Sequence, residues 1–194
     1  MTTTISDGQT GSTAGVNSRN MLETFSVTQQ DSTDASLGGN TFFVTHDIVT
    51  LTTDNQSFVF YVKNDDTVDW VVNEFQSFYG KSENGSGDLS STFIINPTGG
   101  SLIANEVAGF AGNMNLGSPK VLLGSIFKGV EGDTITGGVS VPDNLVPAES
   151  SSDNFTAGPI VIAAGTSFAF GATPPVGNTS MNVKFTIIIH RDEM

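Results

Sequence analysis

Few side chains in this sequence have the character to do chemistry. It contains two histidines (His46 and His190), no cysteine, and twenty acidic residues against seven basic ones. Nucleophilic catalysis of the Ser–His–acid kind needs a histidine held against a serine that sits on a sharp strand-to-helix turn. His46 and Asp47 lie instead in a strand-like run, and no serine carries a nucleophile-elbow pattern. His190 follows the last apolar residue of the final strand pattern. The histidines stand 144 positions apart with no helical pairing, a poor basis for zinc.

Tyr79, Gly80, Lys81 and Ser82 have the form of the end of a phosphate-binding loop. That motif needs a glycine five residues before its Gly-Lys pair; Phe75 stands there, and no helix pattern follows. Oxygen ligands for a hard cation crowd two turns, Asn64, Asp65, Asp66 and Asp69 in one, Glu131 and Asp133 around Gly132 in the other. Neither has EF-hand spacing, so the expectation is solvated turn carboxylates. Paired carboxylates for glycoside hydrolysis would need a facing geometry that no spacing here implies. Phe75, Phe78 and Tyr79 are the candidates for an exposed sugar-stacking platform, whereas Trp70, on one face with Val68 and Val72, is expected in the core. Asn-x-Ser/Thr triplets at Asn55, Asn84, Asn154 and Asn178 read as chance in an Asn- and Ser-rich chain. No catalytic, cofactor-binding or metal-binding residue is assigned, no cofactor is expected, and the chain is expected not to be an enzyme.

The elements that would position these residues are nearly all strands. The 194 residues suit one domain with an appendage. Residues 1–40 read as an extended polar arm with one short strand at 21–28, too poor in apolar residues to offset its ordering entropy alone. From 41 onward, strand patterns at 41–48, 56–63, 67–75, 91–96, 120–127, 138–141, 159–164, 166–170 and 181–189 alternate with turn clusters. The patterns at 159–164 and 166–170 suggest a hairpin around Gly165. In the last strand Met181, Val183, Phe185, Ile187 and Ile189 are expected inward, with Asn182, Lys184 and Thr186 outward. Residues 102–113 fit a strand, a helical turn or an ordered loop. The expected fold is all-β: an antiparallel, jelly-roll-like sandwich over 41–194.

The formal net charge of −13 argues against nucleic acid and anionic membranes as partners. The N-terminal residues lack the apolar core of a secretory signal, and no run approaches the ~20 apolar residues of a membrane span. The expectation is synthesis in a cytoplasm.

Five turn-bearing segments, in order, are FYVKNDDTVD at 60–69, INPTGG at 95–100, NMNLGS at 113–118, FKGVEGDT at 127–134 and PPVGNTS at 174–180. This order resembles a diffuse family of tailed-bacteriophage virion structural proteins, which are small acidic β-sandwiches. The resemblance covers about residues 41–189 and supplies no catalytic residues. It implies a capsid decoration (cement) protein on the virion exterior, a homo-oligomer (a trimer) bound to the major capsid protein, its N-terminal arm clamping a neighbour. A neck, tail or fibre-base component, or a carbohydrate- or receptor-binding module, are the alternatives.

Overall fold

In the computed structural model, residues 36–141 and 160–191 are described throughout; outside them, only the backbones of five short strands are. The chain divides into two compact units, Met1–Asp31 and Ser32–Met194. The first contains three of those short strands, β1 (Ile5–Ser6), β2 (Thr13–Val16) and β3 (Leu22–Glu23), paired antiparallel in that order. Of the arm expected over residues 1–40, the rest of 1–35 lies outside the described residues.

The second unit is a sandwich of two antiparallel sheets. Its strands are β4 (Thr41–Thr45), β5 (Val49–Leu51), β6 (Ser57–Asn64), β7 (Trp70–Tyr79), β8 (Asp88–Ile95), β9 (Phe110–Asn113) and β10 (Gly124–Lys128). There follow β11 (Val139–Val141), β12 (Leu145–Pro147), β13 (Asp153–Phe155), β14 (Ile160–Ile162), β15 (Ser167–Thr173) and β16 (Met181–Arg191). One sheet runs β10-β6-β15-β8-β11, with β12 also on β8. The other runs β13-β7-β16-β4-β9, with β14 also on β7 and β5 also on β16. From β5 to β9 every connection carries the chain from one sheet to the other.

The sequence pattern is clearest in β16, where Met181, Val183, Phe185, Ile187 and Ile189 are all buried. The expected hairpin at 159–170 does not form. β14 pairs with β7, whereas β15 pairs with β6 and β8 in the opposite sheet. The turn between them, closed by the Thr166 N–H on the Ala163 carbonyl at 3.0 Å, crosses the sandwich instead of folding back. Residues 102–113 divide into a one-turn helix, α1 (Ser101–Asn105), a connection, and β9.

Between the sheets the core is aromatic. Phe75 of β7 lies 5.4 Å from Phe170 of β15 and 5.0 Å from Phe93 of β8, ring centre to ring centre. Phe93 meets Phe170 edge-on at 4.5 Å, the geometry that aromatic quadrupoles favour. Trp70 is fully buried, as its place in the strand pattern predicts. Its indole leaves no room for a side chain on β10: a Cβ at Gly124 would stand 2.2 Å from Trp70 Cη2. The strand expected over 120–127 is shorter, β10 beginning at Gly124.

A second, smaller core lies on the outer side of the β6 sheet. There Phe58, Tyr61 and Ala169 pack under Leu102 of α1, with Phe127 stacked on Tyr61 at 5.5 Å. One lateral edge of the sandwich is also bridged by backbone. The Gly109 N–H donates to the Ile126 carbonyl at 2.8 Å, and the Lys128 N–H to the Val107 carbonyl at 2.7 Å, tying the approach to β9 onto β10.

Candidate functional site

The structure disperses the chemically capable residues. His46, on the bend between β4 and β5, is buried against Phe60 and Phe185. Its Nε2 accepts the Phe185 N–H at 3.0 Å, so the ring proton sits on Nδ1, which donates to the Asp47 carbonyl at 2.6 Å. Burial, partly offset by that carbonyl and aided by the charges of Lys128 and Lys184, lowers its pKa to about 4. His46 is thus a neutral structural pin at physiological pH.

His190 lies at the far end of the same sheet. The Ser36 hydroxyl donates to Thr41 Oγ1 at 3.0 Å, which leaves the Thr41 proton for His190 Nδ1 at 2.7 Å. Burial lowers the His190 pKa as well. The Ser–Thr–His chain has no acid behind the histidine among the described contacts, and it joins the start of β4 to the end of β16.

The expected cation-binding turns are taken up by the protein itself. Asp65 pairs with Lys63 at 2.5 Å and accepts the Ser125 hydroxyl at 2.6 Å. Asp69 accepts the Ala164 N–H at 3.0 Å. Asp66 is buried, its Oδ2 lying 2.7 Å from Arg191 Nε off the in-line hydrogen-bond direction, so the contact is a charge pair. In the other turn Asp133 is buried and accepts the Ser101 hydroxyl at 2.7 Å and the Val130 N–H at 2.8 Å. Glu131 accepts the N–H and hydroxyl of both Thr52 and Thr53 at 2.6–2.9 Å. Desolvation pushes the Glu131 pKa up, but the Thr52 and Thr53 donors outweigh it and hold the carboxyl below its ordinary value. The solvated carboxylates expected from the sequence are therefore, at Asp66, Asp133 and Glu131, latches between loops. No group of three or more metal-ligating side chains converges among the described residues.

Asparagines do the same work, and sequence reasoning missed them. Buried Asn64 donates through Nδ2 to the Val68 and Ile162 carbonyls, both at 2.9 Å, and accepts the Asp66 N–H at 2.9 Å. Asn178 donates to the Leu51 carbonyl at 3.0 Å and accepts the Ser82 hydroxyl at 2.6 Å. Asn113 donates to the Gly39 and Lys120 carbonyls and accepts the Asn115 N–H. The only available signal was that each falls in a turn-rich segment.

The residues 79–82 leave β7 through a loop, the Gly80 N–H donating to the Asn182 carbonyl at 2.7 Å, and no helix follows. The aromatic platform also fails. Phe75 and Tyr79 are buried in the core, and only Phe78 is exposed, at 42%. A β-bulge explains the error: the register of β7 on β16 slips between Val72 and Glu74, so 70 and 72 face inward and then 75, 77 and 79 do.

An apolar hollow of about 310 Å³ lies at the lateral edge opposite the β9–β10 bridge. Val72, Phe75 and Ile162 line it from one sheet, and Phe93, Ile95 and Phe168 from the other. Among the described residues its polar lining is Thr166 and Ser167, and the Ser167 N–H is already given to Asn96 Oδ1 at 2.9 Å. Its described lining can take up apolar groups and brings no acid or base to them. No family model matches the chain, and no curated protein matches it.

Proposed function

We propose that the protein is a non-enzymatic virion structural protein, a capsid decoration protein that stabilises a phage shell by binding the major capsid protein as a symmetric oligomer. The strand order carries this reading. Count β4–β5 as the first strand, then β6, β7 and β8, then β11–β12, β13–β14, β15 and β16 as the eighth. The sheets then run 1-8-3-6 and 2-7-4-5, with β9 and β10 added outside the first and second strands. That order agrees with a jelly roll, a plan used in viral capsid domains as well as in lectins and cupins, and so supports the reading. The use of carboxylates and amides as loop latches supports a shape-based role over catalysis. So does an acidic surface, which suits the outside of a DNA-filled particle.

Imaging of native particles labelled with an antibody against this protein tests the reading. The expected result is label at regular, symmetry-related positions over the shell. Label confined to the tail or neck, or no label on particles, would overturn it.

A further inference from the structure

The two outer faces of the sandwich are unlike. Within the second unit, α1 and the 129–136 segment cover the outer side of the β6 sheet, whereas no described element of that unit covers the outer side of the β16 sheet. Pairing in register places Phe78 beside Lys184, then Gln76, Thr186, Thr45 and Phe110 in one row, then Glu74, Ile188, Phe43 and Gly112 in the next. An outer sandwich face normally carries polar side chains. This one carries Phe43 packed on Phe110 at 5.4 Å, with Phe110 55% and Phe78 42% exposed.

Charge is scarcer still. In a chain with twenty acidic residues, the only charges at described strand positions on this face are Lys184 and Glu74. Among the described residues Lys184 has no ion pair, and Glu74 accepts the Gln76 amide at 2.5 Å. Copies carrying a net charge of −13 repel one another, so they can meet only where acids are few.

We infer that the outer face of the β16 sheet binds the same face of a second copy across a two-fold axis lying in the interface. Lys184 and Glu74 stand one row to either side of Thr186 and Gln76. An axis close to that middle row brings Lys184 of each copy beside Glu74 of the other, making two ion pairs that flank Thr186 and Gln76, with the Phe43–Phe110 cluster lying to one side. The strand residues of β7, β16, β4–β5 and β9, at ~4.8 Å spacing and ~3.3 Å rise, give roughly 500 Å² per copy, or about 1,000 Å² in all, the lower bound for a specific interface. The inference stands apart from the virion reading, since the pairing needs no particle.

Sedimentation equilibrium at pH 7.5 on the full chain tests it. The wild type is expected as a dimer of micromolar affinity. K184E or E74K alone, placing like charges opposite each other, should weaken it at least ~10-fold. The double variant K184E/E74K should return to within ~3-fold of wild type, and F110D, altering an exposed side chain, should abolish pairing. A monomeric wild type, an oligomer insensitive to F110D, or a double variant that does not recover would overturn the inference. None of these results bears on where an antibody labels a particle, so the two readings fail separately.

Discussion

The backbone N–H of Phe185 is held by the imidazole of His46, at 3.0 Å from Nε2, so a side chain completes the edge of β16 where β4 gives way to β5. The bond requires a neutral ring. With its pKa near 4 in the fold against an ordinary 6.5, His46 favours folding fully above pH 6.5 and loses that contribution as pH falls toward 4. The loss amounts to about 3 kcal/mol across that window. Urea unfolding between pH 7.5 and 4.5 should show it. H46Q should be less stable at pH 7.5 and much flatter in this window; an unchanged slope would contradict the assignment.

Glu131 governs a lower window. Its pKa is depressed in the fold, so its contribution is present above the ordinary 4.5 and disappears below it. E131Q keeps the shape but weakens the four donors' partner. Acid unfolding followed by near-ultraviolet circular dichroism should show a shallower limb below pH 4.5 in E131Q, with the limb between pH 6.5 and 4.5 unaltered.

Asn64 joins the β6–β7 turn to the β14–β15 turn, the two crossings at one end of the sandwich. N64A leaves a buried and a half-buried carbonyl without their donor and should cost about 3 kcal/mol in urea unfolding. N64D, which puts an acceptor against those carbonyls, should cost at least as much. A loss under ~1 kcal/mol in both would mean that the loops hold without the latch.

Neighbouring glycines in the 97–100 turn should respond differently. Gly100 has φ +124°, and a Cβ there would stand 2.2 Å from the Thr134 carbonyl oxygen. A Cβ on Gly99 would meet only the Thr136 hydroxyl, at 3.1 Å. G100A should therefore destabilise by ~2 kcal/mol or more and loosen α1 from the 129–136 segment, while G99A should cost under ~1 kcal/mol. Thermal melts of the two variants give the comparison directly.

How far the sequence could be read depended on whether a feature was local. The alternation of β16 gave its inward face residue by residue, and Trp70 was legible because two valines shared its phase. β7 was misread beyond Val72, since a bulge leaves no mark in the residue types and reverses the face of every residue after it. The turn at 163–166 announced itself, but nothing in a turn says whether the next strand joins the same sheet. The latches were hidden for a related reason. Asn64, Asp66, Asp133 and Glu131 look like any polar turn residues until the segment they hold, up to 125 residues away in sequence at Arg191, is brought beside them.

The central claim is that this protein serves as a repeated structural unit on a capsid. Quantitative mass spectrometry of purified particles, counting this chain against the major capsid protein, tests it most directly. The account predicts a ratio near one to one. A handful of copies per particle, or none, would contradict it.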